Sequence, residues 1–131
     1  MTRDAEALRA LLAPLVPAGA APEGSWPPEA LERLRDHWSR LEALGFELEV
    51  RPRSLRVRHG GRGFETVLQL SGPEDLGERR RLFGELKAAF GGFRDRLPWL
   101  FQASPAVTEP YESLRAIAEV CHAVRERARA G

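Results

Sequence analysis

The chain has 131 residues, enough for one ordinary hydrophobic core and short for two, so a single domain is expected. Apolar residues make up 43 % and charged residues 30 %, a globular balance that excludes wholesale disorder. Twenty basic against nineteen acidic residues leave a formal charge of +1, far from the excess carried by a nucleic-acid coat or a polybasic membrane binder.

The lone cysteine, Cys121, excludes an intrachain disulfide framework and suits a reducing compartment. No apolar run approaches bilayer length, so no membrane association is expected. Asp4 and Glu6 stand where a signal peptide would be basic, and a cytoplasmic location is the expectation. Nineteen arginines accompany one lysine, Lys87, one isoleucine, Ile117, and no asparagine. All three scarce residues use AT-rich codons, so arginine abundance by itself is a weak functional signal.

Thr2 opens a short first helix as its cap, with Leu8, Leu11, Leu12 and Leu15 on one side and Pro14 limiting its length. Residues 17–28 are rich in proline and glycine and read as a linker, with Trp26 in their midst as a pin to the core. A second helix is predicted over 28–44, its apolar stripe formed by Leu31, Leu34, Trp38 and Leu41. Gly45 supplies the left-handed position beyond its end, and Phe46 folds back toward Leu41.

Period two follows. Phe46, Leu48 and Val50 alternate with Glu47, Glu49 and Arg51; Leu55 and Val57 with Arg56 and Arg58; and Phe64, Thr66, Leu68 and Leu70 with Glu65, Val67 and Gln69. Turns at 52–54 and 60–63 make these three strands an antiparallel meander with one face buried. Ser71 and Glu74 have capping-box spacing for a third helix that ends at Gly91 and Gly92. Leu76, Phe83, Leu86 and Phe90 form its stripe, widened by Leu82 and Ala89. Residues 93–102 read either as a short turn broken by Pro98 or as a fourth, edge strand over 99–102. Thr108 caps a last helix over 109–129, with Tyr111, Leu114, Ile117, Cys121, Val124 and Ala128 inward. The fold class is α+β, in the order α-α-β-β-β-α-α: a three-stranded antiparallel sheet, or four-stranded if 99–102 joins it, with helices on one face.

Within 51–62 five arginines, Arg51, Arg53, Arg56, Arg58 and Arg62, occur without an acid. Pairing of the first two strands sets Glu47 and Glu49 across from Arg56 and Arg58, contacts of about 0.2–1 kcal/mol that need no ligand. Arg51, Arg53 and Arg62 lie near turns, and their planar forks suit phosphate. The stacking aromatics of a single-strand site are missing from that face, because Phe46 and Phe64 belong to the buried set. Arg79, Arg80 and Arg81 lie on a helix with Glu78 and Glu85 and read as surface pairs.

Other patterns carry less chemistry. The glycines at 60–63 lack the Gly-Lys-Ser/Thr ending of a phosphate loop and read as a turn. Glu119 and His122 have the Glu-x-x-His spacing of a di-iron helix in one copy only, so neither metal nor cofactor is expected. Cys121 falls on the apolar stripe as a small buried residue. His37 and His59 have no partner at ligand spacing and no nearby serine or cysteine with which to form a credible nucleophile pair, and Asp36 and Glu42 are not singled out for acid–base work. No catalytic constellation is found.

Phe93, Trp99, Leu100 and Phe101, together with Trp26, are large apolar residues in segments without periodicity, the material of a partner surface. The expectation is a noncatalytic protein-interaction or adaptor domain that self-associates, or meets a protein partner, through 93–102 and an exposed sheet edge. The alternative is a nucleic-acid-binding domain in which Arg51, Arg53, Arg56, Arg58 and Arg62 hold phosphates.

Overall fold

The computed structural model describes residues 5–15, 28–70, 76–90 and 105–130. Helix α1 (Ala5–Leu12) continues into a 3-10 turn, Ala13–Leu15, that contains Pro14. Leu8, Leu12 and Leu15 are buried, the face that the leucine spacing predicts. Helix α2 (Pro28–Ala43) buries Leu31, Leu34, Trp38 and Leu41. Its end is a Schellman cap: the Phe46 N–H donates to the Leu41 carbonyl and the Gly45 N–H to that of Glu42, both at 3.0 Å. Gly45 has φ +96°, the left-handed geometry that such an end requires and that glycine adopts without strain.

The strands β1 (Glu47–Val50), β2 (Ser54–His59) and β3 (Phe64–Gln69) form an antiparallel sheet in sequence order. Val50, Leu55, Val57, Phe64, Thr66 and Leu68 face the core, as the alternation predicts. A 3-10 turn over Gly60–Arg62, closed by Gly63 at φ +65°, joins β2 to β3.

Helix α3 (Leu76–Phe90) buries Leu82 and Leu86, each burial contributing about 1.5–3 kcal/mol. Leu76 departs from the expected stripe and is 63 % exposed. At about 100° per residue it lies roughly 100° round from the Leu82 and Leu86 side, so it points past the sheet. Ser71 and Glu74, the expected capping box, lie outside the described residues.

Helix α4 (Pro105–Ala130) starts earlier than the sequence suggests and carries Pro110 inside it. Thr108 therefore stands within the helix and is not its cap. Pro105 takes the first helical position, where a missing N–H costs nothing. Pro110 is fully buried, and packing offsets the single hydrogen bond that its ring removes. Leu114, Ile117, Cys121 and Val124 face inward as expected, joined by Val107, Ala116 and Val120. One apolar cluster runs through α1, α2, the sheet, α3 and α4.

Candidate interaction surface

The outer face of the sheet is a grid of opposite charges. Register places Arg58 between Glu47 and Glu65, and Arg56 between Glu49 and Val67. Arg56 reaches Glu65 at 3.0 Å and Glu49 at 3.7 Å, while Arg51 reaches Glu49 at 3.2 Å. Three arginines thus share one face with three glutamates, and the field above it is close to neutral. Arg53 and Arg62 stand apart from this grid, at the two turns. Arg62 lies over the Phe90 ring, 5.4 Å from its centroid, a cation–π contact. The five arginines are thereby divided between a paired face and opposite turns.

The two sheet edges differ. Backbone groups of successive residues on an edge strand point alternately toward the neighbouring strand and away from it. On β3 two of the outward groups are bonded by α3: Arg81 donates to the Val67 carbonyl at 2.8 Å, and Glu78 accepts from the Gln69 N–H at 2.9 Å. Arg81 also donates to the Thr66 hydroxyl at 2.7 Å and pairs with Glu78 and Glu85 at 3.1 and 3.0 Å. At the end of β3 the Leu70 carbonyl accepts from Arg125 at 2.8 Å and from His122 Nδ1 at 3.3 Å. Side chains of two helices thus occupy the Val67–Leu70 end of this edge.

On β1 the N–H of Arg51 donates inward to the Ser54 carbonyl at 2.8 Å, so Glu47 and Glu49 also point inward, and Leu48 and Val50 point outward. Helix α1 is the helix that packs most closely on β1. Among the described residues nothing hydrogen-bonds the outward N–H and C=O groups of Leu48 and Val50. These are four backbone groups in a row, the geometry to which another strand adds.

The histidines have partners that local spacing did not reveal. His37 Nδ1 lies 3.0 Å from the Ser113 hydroxyl; the two are 76 positions apart and meet because α2 packs on α4. Ser113 is only 3 % exposed, and the pair is an interhelical tie. Burial first, then Arg40 and Arg33, holds the His37 pKa below its ordinary value.

His59 is fixed at both ring nitrogens. A backbone N–H can only donate, so Nδ1 accepts from Arg62 at 3.2 Å. The ring proton is then on Nε2, which donates to the Leu44 carbonyl at 2.9 Å. His59 also meets Phe46 and Phe90 edge-on, at 4.9 and 5.2 Å between centroids.

Glu119 pairs with Arg33 at 3.0 Å while His122 turns to Leu70, so the Glu-x-x-His spacing does not converge on one point. No group of three or more metal-ligating side chains occurs among the described residues. Cys121 is buried, and burial pushes its thiol pKa up to about 12. No helix among the described residues is long and apolar enough to cross a membrane.

The expected aromatic surface, Phe93, Trp99, Leu100 and Phe101, lies outside the described residues, as do Trp26 and the linker up to residue 27. Sequence reasoning missed the bonding of β3 by Arg81 and Glu78; its one signal is an arginine flanked by acids at i−3 and i+4, a pattern that by itself reads as surface pairing. No family model matches the chain, and comparisons with curated proteins and with solved structures find no match.

Proposed function

We propose that the protein is a noncatalytic interaction domain that self-associates by adding the β1 strand of one copy to that of another. The observation that carries this reading is the unequal treatment of the sheet edges: helix side chains bond β3 at its Val67–Leu70 end, whereas among the described residues nothing bonds the outward backbone groups of Leu48 and Val50 on β1. The paired charges on the outer face favour contact along the edge over contact through the face.

Charge selects the pairing of two copies. With Leu48 on the two-fold axis, Glu47 stands across from Glu49 of the other copy; with Glu49 on the axis, Glu49 meets itself. Like charges directly opposite destabilise a sheet. With Val50 on the axis, Glu49 stands across from Arg51, a complementary outer-face pair, and the like-charge contacts of the other two registers are avoided.

Light scattering coupled to size exclusion tests the reading. The expected result is a concentration-dependent dimer that Leu48→Pro converts to a monomer. Proline is tolerated on the outward side of an edge strand, so circular dichroism of this variant should retain the native spectrum. A wild-type chain that stays monomeric at the highest soluble concentration refutes self-association. A dimer that Leu48→Pro leaves intact moves it away from β1.

A further inference from the structure

Where α2, the sheet, α3 and α4 meet, Leu44, Phe46, His59, Arg62, Phe90, Glu109 and Pro110 line a cavity of about 280 Å³. Its wall is held in place: His59 is bonded at both ring nitrogens, and Phe46, His59 and Phe90 pack edge-on or tilted against one another. Ligands of drug size occupy roughly 300–1,000 Å³, so this volume suits a molecule no larger than one amino acid.

The lining is apolar apart from the fixed imidazole and two charges of opposite sign. Arg62 and Glu109 make no ion pair with each other or with another described residue, although both border the same space. An apolar hollow bordered by an unpaired cation and an unpaired anion is complementary to an apolar body that carries both charges. We infer that the cavity binds a free α-amino acid with a large apolar side chain, its carboxylate on Arg62 and its ammonium on Glu109. The side chain lies against Phe46 and Phe90. Neither charge alone defines such a ligand; the pair does. The site is separate from the β1 edge, and its occupancy does not depend on self-association.

Amide chemical-shift titration of the labelled protein with phenylalanine and leucine tests the assignment. Alanine serves as the probe without an apolar body, and 3-phenylpropanoate and phenethylamine as the probes with one charge each. Saturable shifts are expected at Gly45, Gly61, Arg62 and Phe90 with phenylalanine or leucine. Affinities for the single-charge probes should be about tenfold weaker or worse, the usual effect of losing one charged hydrogen bond, and that for alanine should fall by about tenfold or more because its apolar burial is lost. Arg62→Gln and Glu109→Gln should each weaken phenylalanine binding by a similar factor. Both side chains are exposed, and the Arg62 bond to His59 comes from the backbone, so the unliganded spectra should stay native. Absence of shifts at about 10 mM ligand, weaker than any useful affinity, overturns the proposal. So does binding that both substitutions leave unchanged. A peptide with blocked ends and an internal phenylalanine that binds as well as the free amino acid also overturns it, because the cavity would then be receiving a side chain of a protein partner.

Discussion

Gly45→Ala should be among the most damaging single-atom changes in the chain, and its cost can be worked from two separate sources. The residue sits at φ +96°, where a side chain incurs about 1–2 kcal/mol of backbone strain. An added Cβ would also lie 2.8 Å from His59 Nε2 and 3.4 Å from Cε1. The ring cannot yield freely, because it donates to Leu44, accepts from Arg62 and is wedged between Phe46 and Phe90. Moving it breaks one or both hydrogen bonds, at about 0.5–1.5 kcal/mol each. The expected loss is about 2–4 kcal/mol, read from urea unfolding with an unchanged slope. His59→Ala removes the obstacle, so Gly45→Ala in that background should cost only the strain, about 1–2 kcal/mol. The coupling between the two sites would be about 1–2 kcal/mol. Additivity within about 0.5 kcal/mol refutes the steric argument and leaves strain as the whole effect.

Three further outcomes follow from the same geometry. The folded chain binds a proton at His37 less readily than the unfolded chain, so this residue contributes stability that is present above pH 6.5 and is lost as pH falls through the lowered folded value; His37→Gln should flatten that leg of a stability–pH curve, and an unchanged slope refutes it. The Cys121 thiol, buried with its pKa at about 12, should not react with a thiol reagent at mildly alkaline pH until the protein is unfolded. Arg81→Met should cost about 1–2 kcal/mol after discounting for a guanidinium partly in solvent, and by uncovering Val67 it should raise light scattering on standing; a stable, clear variant refutes the assigned covering role.

The α+β class and the strand faces were legible because they depend on local periodicity. Leu31, Leu34, Trp38 and Leu41 form one helical stripe, and Leu55 and Val57 alternate with Arg56 and Arg58. The end of α2 was legible because one glycine and the phenylalanine after it determine the hydrogen bonds there. The start of α4 was not: Thr108 and Pro110 resemble a helix beginning, and only the burial of Pro110 against the core makes a mid-helix proline acceptable. The tie between His37 and Ser113 spans 76 positions and has no signature at short range. Nor has the cavity, whose residues come from α2 and its end, the strands, α3 and α4. Arg81 shows an intermediate case, since its acid neighbours were visible and the strand edge it also serves was not.

The arginines of the β1–β2–β3 hairpins illustrate how a fold alters the meaning of a composition. Read along the chain, five cations without an acid resemble a phosphate site. Folding brings Glu47, Glu49 and Glu65 onto the same face as Arg51, Arg56 and Arg58, and a phosphate must displace a glutamate before it gains a guanidinium there. Arg53 and Arg62 alone stand clear of the grid, at the two turns, one of them already stacked on Phe90. Each neutralised phosphate contributes about 0.9 to the slope of log affinity against log salt. Two free arginines therefore support a slope of only about −1.8, against about −4.5 if all five engaged. A filter-binding series with mixed short DNA and RNA separates these values. A slope near the larger one would mean that the grid opens in the complex, and would favour polyanion binding over strand addition at β1.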